Sequence, residues 1–196
     1  MILLEKLLAL QSTIERESIY GSACKRLALV EAAARRPVEE RRAIEAMKLH
    51  NRRAEVIARA SLASDLFYPA LNYLAADLAL NAGRRGWKGL DSVIVEAARA
   101  SLEAKNLADA DFWSVVGQTE LELYIALADG RLARTQKSLA RGYQDLYRRV
   151  SAPWLWSSVF DTTRFVLQKY AVRASVKENN AADTLLACLA MFTQGK

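Results

Sequence analysis

Leu74-Ala75-Ala76-Asp77-Leu78-Ala79-Leu80-Asn81-Ala82-Gly83-Arg84 and Leu121-Glu122-Leu123-Tyr124-Ile125-Ala126-Leu127-Ala128-Asp129-Gly130-Arg131 carry Leu, Ala, Leu, Gly and Arg at matching places. Each is an apolar run that stops at Gly-Arg, and glycine just past a helix end is a stop signal because it alone enters the left-handed conformation without strain. Two such runs, one after the other, predict a stack of helical hairpins. The composition agrees. Gly (8) and Pro (3) are scarce among 196 residues, and β-branched runs are nearly absent outside Ser92-Val93-Ile94-Val95, so helix should dominate.

Outward from these runs, apolar periodicity predicts nine helices. The first covers 2–16 with Leu3, Leu4, Leu7, Leu8, Leu10 and Ile14 as its stripe, and the second covers 19–35 and ends at Arg35-Arg36-Pro37. Pro37 suits the first turn of the next helix, 38–60, where Glu39 and Glu40 meet the positive end of the dipole. Helix 67–83 follows, then 92–105 capped by Asp91 or Ser92, and 111–129 capped by Asp109 or Asp111. The series closes with 131–149, 153–174 and 181–193, the last capped by Asn179 or Asn180. Short connections make neighbours antiparallel, giving hairpins at 19–60, 67–105, 110–149 and 153–193. Helix 2–16 is left over as a cap or the remnant of a preceding pair.

Hydrophobic residues at 52% and charged residues at 26% suit a globular chain of one domain and exclude disorder. No uncharged run approaches the roughly 18 residues that span a bilayer, and the start lacks a signal-peptide pattern, so a cytoplasmic, membrane-free protein is expected. Cys24 and Cys188 match no metal or redox spacing and are expected to be buried free thiols.

The net charge of +6 raises nucleic acid as a partner, yet arginines alternate with glutamates, as in Glu39-Glu40-Arg41-Arg42. A basic solenoid gripping nucleic acid through Arg35, Arg36, Arg41, Arg42, Arg52, Arg53, Arg84 and Arg85 is the alternative reading. A lone histidine, His50, excludes multi-histidine metal sites and leaves few routes to a hydrolytic triad; among Lys48, Arg52 and Arg53 it is expected at the surface or boundary. The carboxylate pairs Glu39/Glu40 and Glu120/Glu122 point to different helix faces. No catalytic residue, metal or cofactor is therefore expected.

Ala82-Gly83 and Asp129-Gly130 close first helices with a short residue and Gly, and Ala43-Ile44-Glu45-Ala46 with Ala54 and Ala58 set small residues along a second helix. This pattern resembles the tetratricopeptide-repeat family, with pair starts near 19, 67, 110 and 153 spaced beyond its usual repeat of about 34 residues. Gly21-Ser22-Ala23-Cys24-Lys25-Arg26-Leu27-Ala28, Phe67-Tyr68-Pro69-Ala70-Leu71-Asn72 and Trp113 with Glu120-Leu121 are similar to a subgroup, the tetratricopeptide-type TRAF-binding region beside signalling and effector domains. Cys24 and Asn51 stand where that pattern favours aromatics. The resemblance implies an all-α, tetratricopeptide-like α-solenoid that binds a protein or peptide as a non-catalytic scaffold, often within a longer signalling polypeptide.

In a solenoid of this kind the first helix of each pair lines the concave surface. Asn72, Tyr73, Asp77 and Asn81 on one such helix, and Glu120 and Tyr124 on the next, are then candidate partner contacts. The glycine-dense loop adds Arg84, Arg85, Trp87 and Lys88, which can meet anionic or peptide groups but lack the spacing of a P-loop. Trp87 is the candidate aromatic anchor if exposed. At least two of Trp113, Trp154 and Trp156 are expected to pack in the core. The run Leu185-Leu186-Ala187-Cys188-Leu189-Ala190-Met191-Phe192 is apolar on all sides, so helix 181–193 is either covered by 153–174 or a self-association surface.

Overall fold

The structure, a computed structural model, describes residues 2–194. Nine helices and no strand are present among them: α1 (Ile2–Leu10), α2 (Ile14–Ala33), α3 (Pro37–Ala60), α4 (Phe67–Asn81), α5 (Ser92–Asp109), α6 (Phe112–Ala128), α7 (Leu132–Tyr147), α8 (Pro153–Ala171) and α9 (Val176–Thr193). None of these helices is long and apolar enough to cross a membrane.

Local chemistry explains most boundaries. Gly83 (φ 70°) and Gly130 (φ 62°) take the left-handed conformation that their stop positions require. Asp91 accepts from the Val93 N–H, and Asp111 forms a capping box with Ser114. Pro37 and Pro153 occupy first turns.

Three predicted boundaries are corrected, the first being the helix expected over 92–105, which runs on to Asp109 and leaves the next cap to Asp111. The helix expected over 2–16 ends at Leu10, and residues 14–16 belong to α2, because the Thr13 hydroxyl accepts from the Arg16 N–H and starts a new helix. The Arg16 guanidinium then turns back onto the Leu7 and Gln11 carbonyls at 3.2 and 3.0 Å, closing off the end of α1. The last helix starts at Val176, because Ser175 supplies the cap expected of Asn179 or Asn180. Glu178 in that first turn accepts from the Ala133 N–H (3.1 Å) and the Tyr170 hydroxyl (2.7 Å), so it joins α7, α8 and α9.

Consecutive helices from α2 to α7 pack in order, and α4 also packs on α6. Gly21 sets the closeness of the α2–α3 pair: a Cβ there would stand 2.4 Å from the Asn51 amide nitrogen. Cys24 and Asn51, the departures from an aromatic pattern, are both 1% exposed. Gly117 plays the same part for α6, with Leu102 and Leu71 within 2.9 and 3.1 Å of its would-be Cβ.

The last pair breaks the order. α9 packs on both α7 and α8, while α8 lies against α4. Lys169 of α8 ion-pairs with Glu40 of α3, the Arg173 guanidinium donates to the Ala82 carbonyl, and the Lys25 ammonium donates to the Thr162 hydroxyl at 2.8 Å. These contacts draw α8 across the face where α2, α4 and α6 meet.

Trp156 is fully buried among the rings of Phe112, Tyr143, Tyr147 and Phe192, and its indole N–H donates to the Val150 carbonyl at 2.6 Å. The expectation of two packed tryptophans from that set is corrected: Trp154 is 71% exposed and Trp113 38%. Two residues apart on one helix, Trp154 and Trp156 face opposite ways. On α9, Leu185, Cys188, Leu189 and Phe192 are buried against α7 and α8, and Met191 stays outside. Cys24 and Cys188 are buried free thiols.

Candidate functional site

The residues proposed as partner contacts divide between two faces of α4. Tyr73, Asp77 and Asn81 follow one another at four-residue spacing and form one stripe. Asp77, 6% exposed, accepts from the Lys48 ammonium (2.5 Å), the Asn81 amide (3.0 Å) and the Trp87 indole N–H (3.2 Å). Lys48 and Arg52 also stand over the Tyr73 ring, 5.3 and 5.8 Å from its centroid. The loop holding Arg84, Arg85, Trp87 and Lys88 closes over this node and lines a shallow depression of about 680 Å³ with it. Gly86 and Gly89 let the loop turn, both at positive φ. Tyr73, Asp77 and Asn81 therefore face α3 and the loop rather than the inner face on which they were placed. Trp87 is half-buried with its N–H engaged, so it fastens the loop instead of projecting from it.

Asn72, one residue from Tyr73 and so about 100° around the helix, points the other way. It meets Glu120 and Tyr124 of α6 in a pocket of about 290 Å³. Lys25 enters this pocket from α2, and Ser158 and Thr162 from α8. Phe67, Tyr68 and Trp113 form its aromatic wall and also border a larger groove of about 840 Å³ that runs along α2. Ile14, Ile19, Ala23 and Pro69 give the groove its apolar surface; Glu15, Arg26, Asp65, Lys105 and Asp111 set charges of both signs around it. Groove and pocket together are the candidate site.

Electrostatics single out the pocket. Burial pushes the Glu120 carboxyl up to about 7, against the pull of the Lys25 charge. Burial pushes the Lys25 ammonium the other way, below its usual range, although Glu120 and Asp161 oppose the shift. The Tyr124 phenol is raised by burial first and by Glu120 second. Lys25 has the Thr162 hydroxyl as its hydrogen-bond partner, whereas Glu120 has neither a hydrogen bond nor an ion pair among the described residues.

Other enclosed carboxylates differ. Glu17 meets His50 Nδ1 at 2.6 Å and accepts from Ser12; Glu31 pairs with Arg36; Glu40 pairs with Lys169; Glu55 pairs with Arg52 and Arg59; Asp77 has its three donors. The Glu17 pair corrects the placement of His50, which is 9% exposed and stacked on Tyr20 with centroids 4.0 Å apart. Facing α2 rather than solvent, it fastens α3 to α2.

Of the residues proposed from sequence, Asn72, Glu120 and Tyr124 reach the pocket. Lys25, Ser158 and Thr162 went unrecognised, since a lysine or hydroxyl on a mixed helix carries no sign of what will pack opposite it. Phe67, Tyr68 and Trp113 carry a resemblance to a repeat pattern, and Trp113 is also expected in the core, so neither reading points to this wall. No protein-family model, no curated protein and no solved structure matches this chain.

Proposed function

We propose that this chain is a non-catalytic, tetratricopeptide-like helical module that binds a segment of a partner protein in the groove along α2. The observation that carries the reading is the groove's apolar lining: Ile19, Tyr68 and Trp113 remain 48%, 42% and 38% exposed on one continuous concave surface. Contiguous apolar surface of this kind is characteristic of docking sites, and aromatic side chains dominate the energetics of such contacts. Charges of both signs on the rim suit the polar edges of an amphipathic helix laid into a groove. In this reading the first three hairpins follow a solenoid order, and α8 closes one side of the concave face.

The alternative, nucleic acid, draws less support. Arg36, Arg41, Arg42 and Arg52 each pair with a glutamate, which reduces the positive field along that edge.

The test is selection of displayed random peptides on the full chain, with fluorescence anisotropy on those recovered. Ile19→Asp and Trp113→Ala should each weaken binding by about tenfold or more, the scale of an interface anchor. Unchanged affinity in both variants would overturn the groove reading. A chain that selects no peptide but shifts duplex DNA with a steep salt dependence would replace it with the nucleic-acid reading.

A further inference from the structure

The enclosed carboxylates of this molecule have close partners, whereas one half-buried carboxylate that lines a pocket does not. Glu31, Glu40, Glu55 and Asp77 each have a cation beside them and Glu17 has the His50 ring nitrogen, as the cost of burying an unpartnered carboxylate requires. In the pocket at the edge of the groove, Lys25 and Glu120 line the same space without closing into an ion pair. Lys25 ties α2 to α8 through Thr162 but leaves Glu120 unpaired, and opposite charges that share a cavity without closing on each other mark functional sites.

The hydrogen-bond inventory narrows what would satisfy them. The Lys25 ammonium has three hydrogens, and the Thr162 hydroxyl takes one. Thr162 in turn donates to the Ser158 carbonyl at 3.0 Å, so its one hydrogen is spent. One Asn72 amide hydrogen goes to the Tyr68 carbonyl, leaving its second hydrogen and its oxygen for the pocket. The free groups are therefore a cationic donor at Lys25, neutral donors at Asn72 and the Tyr124 and Ser158 hydroxyls, and acceptors at Glu120 and the Asn72 oxygen. A single negative ligand would satisfy Lys25 and repel Glu120, and a single positive one would do the reverse. Only a ligand with both charges answers both.

We propose that this pocket binds a free apolar α-amino acid as its zwitterion. The carboxylate lies on Lys25, the ammonium lies on Glu120 and the Asn72 oxygen, and the side chain lies against Phe67, Tyr68 and Trp113. The volume, about 290 Å³, sits at the small end of ligand pockets and suits a metabolite of this size. The site is separate in chemistry from the peptide groove and adjoins it only through the three aromatic residues. The interior of a peptide chain carries no paired terminal charges and would leave Lys25 and Glu120 unanswered.

Isothermal titration of the full chain with L-leucine, isopentylamine and 4-methylpentanoate tests this, because the two analogues each lack one charge and keep the side chain. Leucine should bind at least about tenfold more tightly than either analogue. Lys25→Met and Glu120→Gln should each weaken leucine binding by a similar factor, and the double variant should no longer distinguish the three compounds. Thermal unfolding of the same samples separates lost binding from lost folding, since neutralising Glu120 removes an unpaired, half-buried charge and leaves a folded chain. An analogue that binds as well as leucine overturns the proposal, as does absence of saturable leucine binding up to about 10 mM. Ile19→Asp lies outside the pocket and should retain leucine binding while losing peptide. Failure of the groove reading is thereby distinguished from failure of this one.

Discussion

The two faces of α4 treat a neighbouring carboxylate in opposite ways. Toward α3 and the basic loop, Asp77 is surrounded by three donors, and its environment is a closed network that joins a helix, its neighbour and a turn. Toward α6 and α8, Glu120 stands opposite Lys25 with no partner of its own, and its carboxyl is pushed up to about 7. The first arrangement stabilises the fold; the second works against it. A carboxylate in a satisfied network is therefore evidence of architecture, and one without partners in a cavity is evidence of a site.

Removing the satisfied charge should give the largest effect. Asp77→Ala leaves Lys48 and the Trp87 N–H without their acceptor, and should lower unfolding free energy by about 2–4 kcal/mol in a urea titration. Adding Lys48→Met should recover part of that loss. If Asp77→Ala were neutral, the node would not be the fastening that its geometry indicates.

Removing the unsatisfied charge should act in the other direction. A carboxyl whose folded pKa is raised favours the protonated form in the folded state. Stability is then lost as pH rises from the usual 4.5 through about 7. Lys25, Tyr124 and Tyr143 are the titratable neighbours, and both phenols stay neutral across that range. Glu120→Gln should therefore be more stable than the parent at pH 8 by about 1–3 kcal/mol, a gain that fades by about pH 5. A destabilised Gln variant at pH 8 would place Glu120 with the structural carboxylates.

Smaller effects sharpen the contrast. Trp87→Phe keeps a ring in the loop but removes the donor to Asp77, and should cost about 0.5–1.5 kcal/mol in the same titration. Asn72→Ala, whose amide serves only the carbonyl one turn back in its own helix, should change stability by less than about 0.5 kcal/mol. The order of these effects is itself the test, because a purely architectural pocket would make Asn72 and Glu120 costly to replace.

Much of the helical plan was legible along the chain because its signals are local. The left-handed stops at Gly83 and Gly130, the caps at Asp91 and Asp111 and the helix starts at Pro37 and Pro153 depend on residues within a turn of each other. Of the misplaced starts, Ser175 took a cap that Asn179 and Asn180 also offered, and Thr13 begins a helix inside an apolar stripe that reads as continuous from 2 to 16. Site residues were harder. Tyr73 and Asn72 are adjacent and polar, and sequence spacing alone did not tell which would turn inward. His50 and Glu17 are 33 positions apart, so their union is invisible until α2 and α3 pack.

The sequence by itself determined that this chain forms helices, nearly where each begins and ends, and that successive ones pair as hairpins. Those outcomes rest on backbone propensity, capping and amphipathic periodicity, which act over a few residues. Tertiary structure decided that α8 would lie on α4, and thereby which side chains share a cavity. Lys25 and Thr162 stand 137 positions apart, and no local signal links them. They became neighbours of Glu120 because long-range packing chose the face of α4 that α8 covers, and burial then altered their chemistry.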